Sequence, residues 1–207
     1  MKNKIANKKF VYLISPNKIK SIFFYKDLEK LFKTKKISFF QLRLKKNTFK
    51  EKLIIGKKVN KICKKYNVKF IVNDDPFLAK KLNSDGCHLG QKDMKISHAR
   101  KILGNKIIGV TCHNSISLVK KAQINNANYI AIGAFNNSKT KKVKFKSSIE
   151  LLKSVKKITK LPVVAIGGIN NMNYKNLLLN KANFLAISGY IWKNKKYKPS
   201  QAIERLK

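Results

Sequence analysis

The chain has 207 residues, 43% hydrophobic and 28% charged, so it is long enough to build one sizeable hydrophobic core. Lys and Arg number 48 against 9 Asp and Glu, a formal net charge of +39. No apolar run reaches the roughly 18 residues of a membrane helix, and the N-terminal run is too short for a secretory signal. Cys63, Cys87 and Cys112 have no zinc-site spacing. We therefore expect a cytoplasmic protein without disulfides.

The positive charge is spread along the chain and is carried mostly by lysine, because only Arg43, Arg100 and Arg205 are arginines. Nucleic-acid-binding proteins usually cluster their charge and often favour arginine for bidentate contacts. A basic nucleic-acid-binding protein is therefore the less favoured alternative. The scarce acidic residues are more informative, since four of the nine lie between residues 74 and 93.

Eight short apolar segments, rich in β-branched residues and followed by polar residues or glycine, are predicted strands. They span residues 10–15, 37–45, 70–74, 86–90, 106–113, 129–135, 162–169 and 184–191. Helical patterns fit between most of them, and the segment 21–32 is the least clear. Three helices have recognisable starts: a capping box at residues 48–51, an Asp-Pro cap at 75–76 and a second capping box at 147–150.

This eightfold alternation of strands and helices indicates a parallel sheet that is covered on both faces. Eight units in about 200 residues match a (β/α)8 TIM barrel, so we expect a single catalytic α/β domain over residues 1–207. An open doubly wound sheet is the alternative. It usually has a glycine-rich turn after its first strand, whereas residues 16–21 read PNKIKS.

Active sites of such barrels lie at the C-terminal ends of the strands. The second predicted strand ends in Gln41, Arg43 and Lys45, which alternate onto one face. The planar guanidinium of Arg43 suits a pair of phosphate oxygens.

Two carboxylates follow the next two strands. Asp74 ends the third predicted strand after Asn73, and Asp93 lies in the loop after the fourth. Mg²⁺ is typically held by one or two carboxylates together with substrate phosphates and waters. We expect Asp74 and Asp93 to share Mg²⁺, with helix caps or ordinary surface charges as the alternative.

The last strands offer two features that suit anions. Residues 136–141 combine small hydroxyl donors with a cation, and the seventh and eighth strands end in Gly-Gly (167–168) and Ser-Gly (188–189). Barrels often bind phosphate through backbone N–H groups after these two strands. Two anion-binding regions and a metal site suit the Mg²⁺-assisted departure of a diphosphate and attack by a second phosphorylated molecule.

In order and spacing, the motifs resemble those of the thiamine phosphate synthase family, from the first strand to Trp192. They are QLRLK (41–45), IVNDD (71–75), DGCHLGQKD (85–93), IIGVTCHN (107–114), SKTK (138–141), AIGGI (165–169) and AISG (186–189). The resemblance implies a TIM-barrel transferase of thiamine biosynthesis. Such an enzyme joins hydroxymethylpyrimidine diphosphate to a thiazole phosphate by a dissociative, Mg²⁺-dependent mechanism, giving thiamine phosphate and pyrophosphate.

The same resemblance implies the residue roles. Asp74 and Asp93 would hold the metal, and the catalytic groups would be Arg43, Lys45 and Lys141. Substrate-binding residues would be Gln41, Arg43, Lys45, Asn73, Thr111, Ser138, Thr140, Lys141, Gly168, Ile187 and Ser188.

The related thiazole tautomerase is the alternative among enzymes. The resemblance implies that a tautomerase lacks the full set of metal-binding and diphosphate-binding residues. We expect small phosphorylated substrates as partners, no nucleic acid and no membrane, and the resemblance suggests a homodimer or larger assembly.

Overall fold

The computed structural model describes residues 9–19, 21–137 and 144–207. Eight parallel strands follow one another around a closed barrel, and the last pairs with the first. The expected TIM barrel is confirmed. The strands are β1 (Val11–Ile14), β2 (Ile37–Leu42), β3 (Lys69–Asn73), β4 (Gly86–Leu89), β5 (Ile107–His113), β6 (Tyr129–Gly133), β7 (Val163–Ile166) and β8 (Phe184–Ile187).

Helices in the described residues follow each strand, and the segment whose structure was least clear from sequence is helical. They are α1 (Phe23–Lys33), α2 (Phe49–Lys65), α3 (Pro76–Lys81), α4 (Ile96–Leu103), α5 (Ile116–Ile124), α6 (Ile149–Ile158), α7 (Tyr174–Leu179), α8 (Gly189–Trp192) and α9 (Pro199–Glu204). None of these helices combines the length and the apolar character needed to cross a bilayer.

Two of the three predicted helix starts are confirmed, and one is wrong by a residue. Thr48 and Glu51 exchange the two hydrogen bonds of a capping box at α2, and Asp75 caps α3 through the N–H of Leu78. At α6, Ser148 and not Ser147 accepts the cap hydrogen bond. Ser147 is instead tied to the strand end, because its backbone N–H donates to the carbonyl of Ala134.

Several strands end earlier than the sequence pattern predicts. β2 stops at Leu42, and the predicted end of the eighth strand is instead the short helix α8. After β2, the hydroxyl of Ser15 accepts from the N–H of Arg43 at 2.9 Å, replacing a ladder bond. At α8, the indole of Trp192 donates to the carbonyl of Ile14 at 2.7 Å, so the chain turns back over β1.

The buried side chains form two layers. One apolar cluster lies between the strands and the surrounding helices. A second fills the barrel interior and includes Tyr12 and Ile14 of β1, Tyr129 of β6, and Val164 of β7. Because side chains alternate along each strand, the polar residues in phase with the interior cluster emerge at the barrel mouth.

Candidate active site

The carboxyl groups of Asp74 and Asp93 lie against each other at the ends of β3 and β4. Asp74 has a left-handed backbone (φ 67°), and its N–H donates to the carbonyl of His88 at 2.8 Å. Asp93 accepts from the N–H of Gly90 at 2.7 Å. Partial burial raises the pKa of Asp93 and contact with Asp74 raises it further, while the Gly90 N–H and Lys45 act in the opposite direction.

Lys45 brings a positive charge to this acidic pair. Its Nζ lies 3.1 Å from Oδ2 of Asp74; the side chain of Lys45 is exposed and that of Asp74 is partly buried. A cavity of about 150 Å³ adjoins Asp74 and lies between the ends of β2 and β3 and the start of α3. It is lined by Leu42, Leu44, Lys45, Lys52, Asn73, Asp74, Asp75 and Leu78. The structure thus brings together three of the residues predicted from different strands.

This acidic pair fits a hard divalent cation. Two touching carboxylates repel each other and offer only oxygen ligands, which Mg²⁺ prefers. In the described part of the chain, no third His, Cys, Asp or Glu completes a protein-only metal site. The remaining ligands would have to come from water and from phosphate oxygens of a substrate.

Arg43 is held in place by residues of the loop after β1. Its guanidinium donates to Oδ1 of Asn17 at 3.1 Å, and its backbone N–H bonds to Ser15. Gln41, two residues earlier, is buried at 3% exposure. Leu42 and Leu44 pack outside the strands, so Gln41 and Arg43 belong to the opposite, interior face. Asn17 was missed from sequence because an Asn beside a Pro reads as an ordinary turn residue.

Thr111 lies near the end of β5 and contacts His88 of β4. Its hydroxyl is 2.8 Å from Nε2 of His88, and the side chain of Gln91 donates to its backbone carbonyl. Burial lowers the pKa of His88 to about 4, against a smaller raising effect of Asp74. The ring is therefore neutral near pH 7. The sequence pattern by itself assigns a role to neither His88 nor Gln91.

The ends of β7 and β8 supply a backbone-lined corner. Gly168 has φ 60°, and a Cβ there would lie 2.3 Å from the carbonyl oxygen of Asn137. Only glycine lets the two loops approach this closely. The hydroxyl of Ser188 donates to the carbonyl of Ser15 at 3.3 Å, which joins β8 to the loop after β1.

Ile187 does not point into this corner. Its side chain is 1% exposed and packs in the layer between strands and helices. Any contact with a ligand would have to use its backbone. The predicted substrate contacts Ser138, Thr140 and Lys141 lie outside the described residues.

Comparison with known proteins gives a consistent assignment. Residues 11–191 match the family model described as thiamine monophosphate synthase. The chain is 70% identical over all 207 residues to a thiamine-phosphate synthase of Pelagibacter ubique, with both chains fully covered. It is 38% identical over 187 residues to that of Erythrobacter litoralis, covering 88% of this chain and 87% of the relative.

Similarity to a solved structure extends the match to three dimensions. The thiamine phosphate pyrophosphorylase of Pyrococcus furiosus superposes with a TM-score of 0.84 at 26% identity, covering 97% of this chain and 95% of that one. The match spans all eight strands and the loops that carry the acidic pair. The chain therefore belongs to the thiamine monophosphate synthase family of enzymes.

Proposed function

We propose that this enzyme condenses hydroxymethylpyrimidine diphosphate with a thiazole phosphate, giving thiamine phosphate and pyrophosphate. The observation that carries the proposal is the convergence of Lys45, Asp74 and Asp93 at one edge of the barrel mouth. An acidic pair next to a lysine suits a Mg²⁺-bound diphosphate, whereas a purely anionic ligand without metal would be repelled by the two carboxylates. The 70% identical thiamine-phosphate synthase supports the same reaction.

The proposed binding mode assigns each end of the mouth to one substrate. Asp74 and Asp93 would hold Mg²⁺, which when bound neutralises diphosphate oxygens and so assists their departure. Arg43 and Lys45 would bind the same diphosphate, with Gln41 and Asn73 near the pyrimidine. These side chains lie at or just after the ends of the adjacent strands β2 and β3, and Arg43 is held by Asn17 before any ligand arrives.

The second substrate would occupy the opposite side of the mouth. Gly168 and Ser188 would offer backbone N–H donors to the thiazole phosphate, together with the predicted contacts Ser138, Thr140 and Lys141. The positive φ angles of Gly167 (107°) and Gly168 (60°) support this assignment, since backbone turns of this kind can aim N–H groups at an anion.

The proposed mechanism needs no protein nucleophile. The carbon–oxygen bond to the diphosphate breaks first, and the electron pair leaves with pyrophosphate. The resulting pyrimidine-stabilised methylene cation is then attacked by the thiazole nitrogen. The protein contributes positioning of the two substrates and electrostatic stabilisation of the departing charge.

The proposal is tested by mixing the purified protein with both substrates, with and without Mg²⁺, and measuring pyrophosphate and thiamine phosphate. We expect equal amounts of both products in the presence of Mg²⁺ and little turnover after chelation. Isomerisation of a thiazole without pyrophosphate release would instead identify a tautomerase. Cytoplasmic location and a homodimeric state stay predictions, for fractionation and light scattering respectively.

A further inference from the structure

A hydrogen-bonded network of four side chains crosses the barrel interior and ends at the mouth. The hydroxyls of Tyr12 and Tyr129 are 2.7 Å apart, and the Tyr129 hydroxyl is 2.9 Å from Nδ1 of His88. Nε2 of His88 is 2.8 Å from the hydroxyl of Thr111. The four residues come from β1, β6, β4 and β5, so local sequence does not place any of them next to another.

Three of these side chains are sealed from solvent. Tyr12 is 2% exposed, Tyr129 3% and His88 8%, whereas Thr111 is only partly buried. The Tyr129 ring of this network fits only because residue 109 is a glycine, since a Cβ there would lie 1.8 Å from Cζ of Tyr129. Because water does not reach these buried groups, each hydroxyl or ring hydrogen has to find its acceptor within the four-residue network.

The number of available hydrogens determines which group donates in each hydrogen bond, starting from Tyr12 at the buried end of the network. Among the described residues, the Tyr12 hydroxyl has one hydrogen-bond partner, Tyr129. Tyr12 therefore donates to Tyr129, because otherwise its hydrogen would be buried without an acceptor. The hydrogen of Tyr129 then has one acceptor left, which is Nδ1 of His88.

The direction carries through the imidazole ring. If Nδ1 of His88 accepts, the single hydrogen of the neutral ring is on Nε2 and is donated to Thr111. The reverse direction leaves a tyrosine hydrogen unpaired inside the barrel. A doubly protonated ring does the same, because both ring nitrogens would then donate and Tyr129 would have no acceptor.

We infer that Tyr12, Tyr129 and His88 are positioning residues that fix Thr111 as a hydrogen-bond donor toward the barrel mouth. Thr111 uses one lone pair to accept from His88, and its own hydrogen is left for a ligand. Its backbone carbonyl accepts a hydrogen bond from the side chain of Gln91. The ligand atom that meets Thr111 is accordingly an acceptor, such as an aromatic ring nitrogen. The identity of that ligand as the pyrimidine substrate rests on the proposed function.

The bond direction can be read without any substrate. The protein contains three histidines, so ¹⁵N-histidine labelling and long-range ¹⁵N–¹H NMR of the full chain at neutral pH give three ring patterns. The single variants His98→Gln and His113→Gln assign them by disappearance. We expect His88 as the neutral tautomer with its hydrogen on Nε2. A hydrogen on Nδ1, or on both ring nitrogens, would overturn the inference.

Steady-state kinetics of variants test the role of the hydrogen-bonded network in turnover. Thr111→Ser keeps the donor and Thr111→Val removes it, so we expect kcat/KM to be at least about tenfold higher for Ser than for Val. Tyr129→Phe should lower kcat/KM when Thr111 is present. In a protein that already carries Thr111→Val it should have little further effect, since the network acts through Thr111. Equal losses in both backgrounds would mean that Tyr129 is only structural.

The NMR experiment and the substrate assay test the inference and the proposed function separately. Absence of pyrophosphate release by the unmodified protein with both substrates would contradict the proposed reaction. The NMR pattern of His88 would still decide the bond direction in that case.

Discussion

At the scale of single residues, the acidic pair combines an unfavourable contact with a functional opportunity. Asp74 and Asp93 raise the electrostatic cost of folding because their carboxyl groups meet in a partly buried position. Lys45 offsets part of this cost from a solvent-exposed side. A bound divalent cation would remove the repulsion altogether, so the arrangement is better suited to the metal-bound state than to the free protein.

Substitution of Asp93 by Asn tests this directly. Asp93→Asn keeps the size and the hydrogen bond from Gly90 but removes one charge, so we expect turnover to fall by about 100-fold or more. The Mg²⁺ concentration for half-maximal rate should rise. Glu29→Gln, which removes a surface acid paired with Lys65 at 2.9 Å, is the matched control and should leave both quantities unchanged. Normal kinetics of Asp93→Asn would refute the proposed metal role.

Gly109 allows a second prediction at a single position. Gly109→Ala forces a methyl group into the ring of Tyr129, and overpacking of this kind costs about 1–3 kcal/mol. Gly104→Ala is the comparison for backbone strain without a steric clash, because φ is +56° and ψ is −125° there but nothing lies within 4 Å. A strained backbone of this kind costs about 1–3 kcal/mol. Urea unfolding measures both. A Gly109→Ala variant as stable as the unmodified protein would mean that the Tyr129 ring can move aside.

At the scale of the elements, the strand ends show how a loop can replace the sheet ladder. β2 ends at Leu42, yet the backbone of Arg43 is held because Ser15 accepts its N–H. At the end of β8, the hydrogen bond from Trp192 to the carbonyl of Ile14 holds α8 against β1. Past the end of β2, the strand pattern in the sequence continues because burial still alternates from Leu42 to Lys45. Alternation therefore predicts which face a side chain takes better than it predicts where the strand stops.

The start of α6 offers a matched pair of adjacent serines. Ser148 accepts the N–H of Leu151 at 3.3 Å, so Ser148→Ala should lower the free energy of unfolding by about 1 kcal/mol. The Ser147 hydroxyl is buried with no hydrogen-bond partner in the described residues, so Ser147→Ala should leave stability unchanged or raise it. Urea titrations of the two variants check the difference. A larger loss at Ser147 would place the cap one residue earlier.

At the scale of the whole molecule, charge is the dominant feature. The net charge is +39, and the ion pairs found in the described residues involve four acids. Exposed pairs of this kind contribute little, so mutual repulsion among lysines outweighs them. A positive field also attracts anionic small molecules, which suits phosphorylated substrates.

Salt should therefore stabilise this protein. Raising NaCl from about 0.05 M to about 0.5 M shortens the screening length from above 10 Å to below 8 Å, and we expect the urea midpoint to rise without a change in slope. Urea is preferred because guanidinium is itself a salt. A midpoint that falls with added salt would mean that attractive pairs, and not repulsion, dominate the folded state.

The amino-acid sequence by itself determined the barrel and most of the site. Eight apolar segments that alternate with helical patterns set the fold, because each must bury its side chains on both faces. The polar residues that end them, including Asp74 and Asp93, mark the mouth. Only the tertiary structure decided that Asn17 holds Arg43, that the Ile187 side chain faces away from the mouth, and that Tyr12 reaches Thr111 through two other residues. These contacts join strands distant in sequence, and closure of the barrel is what brings them together.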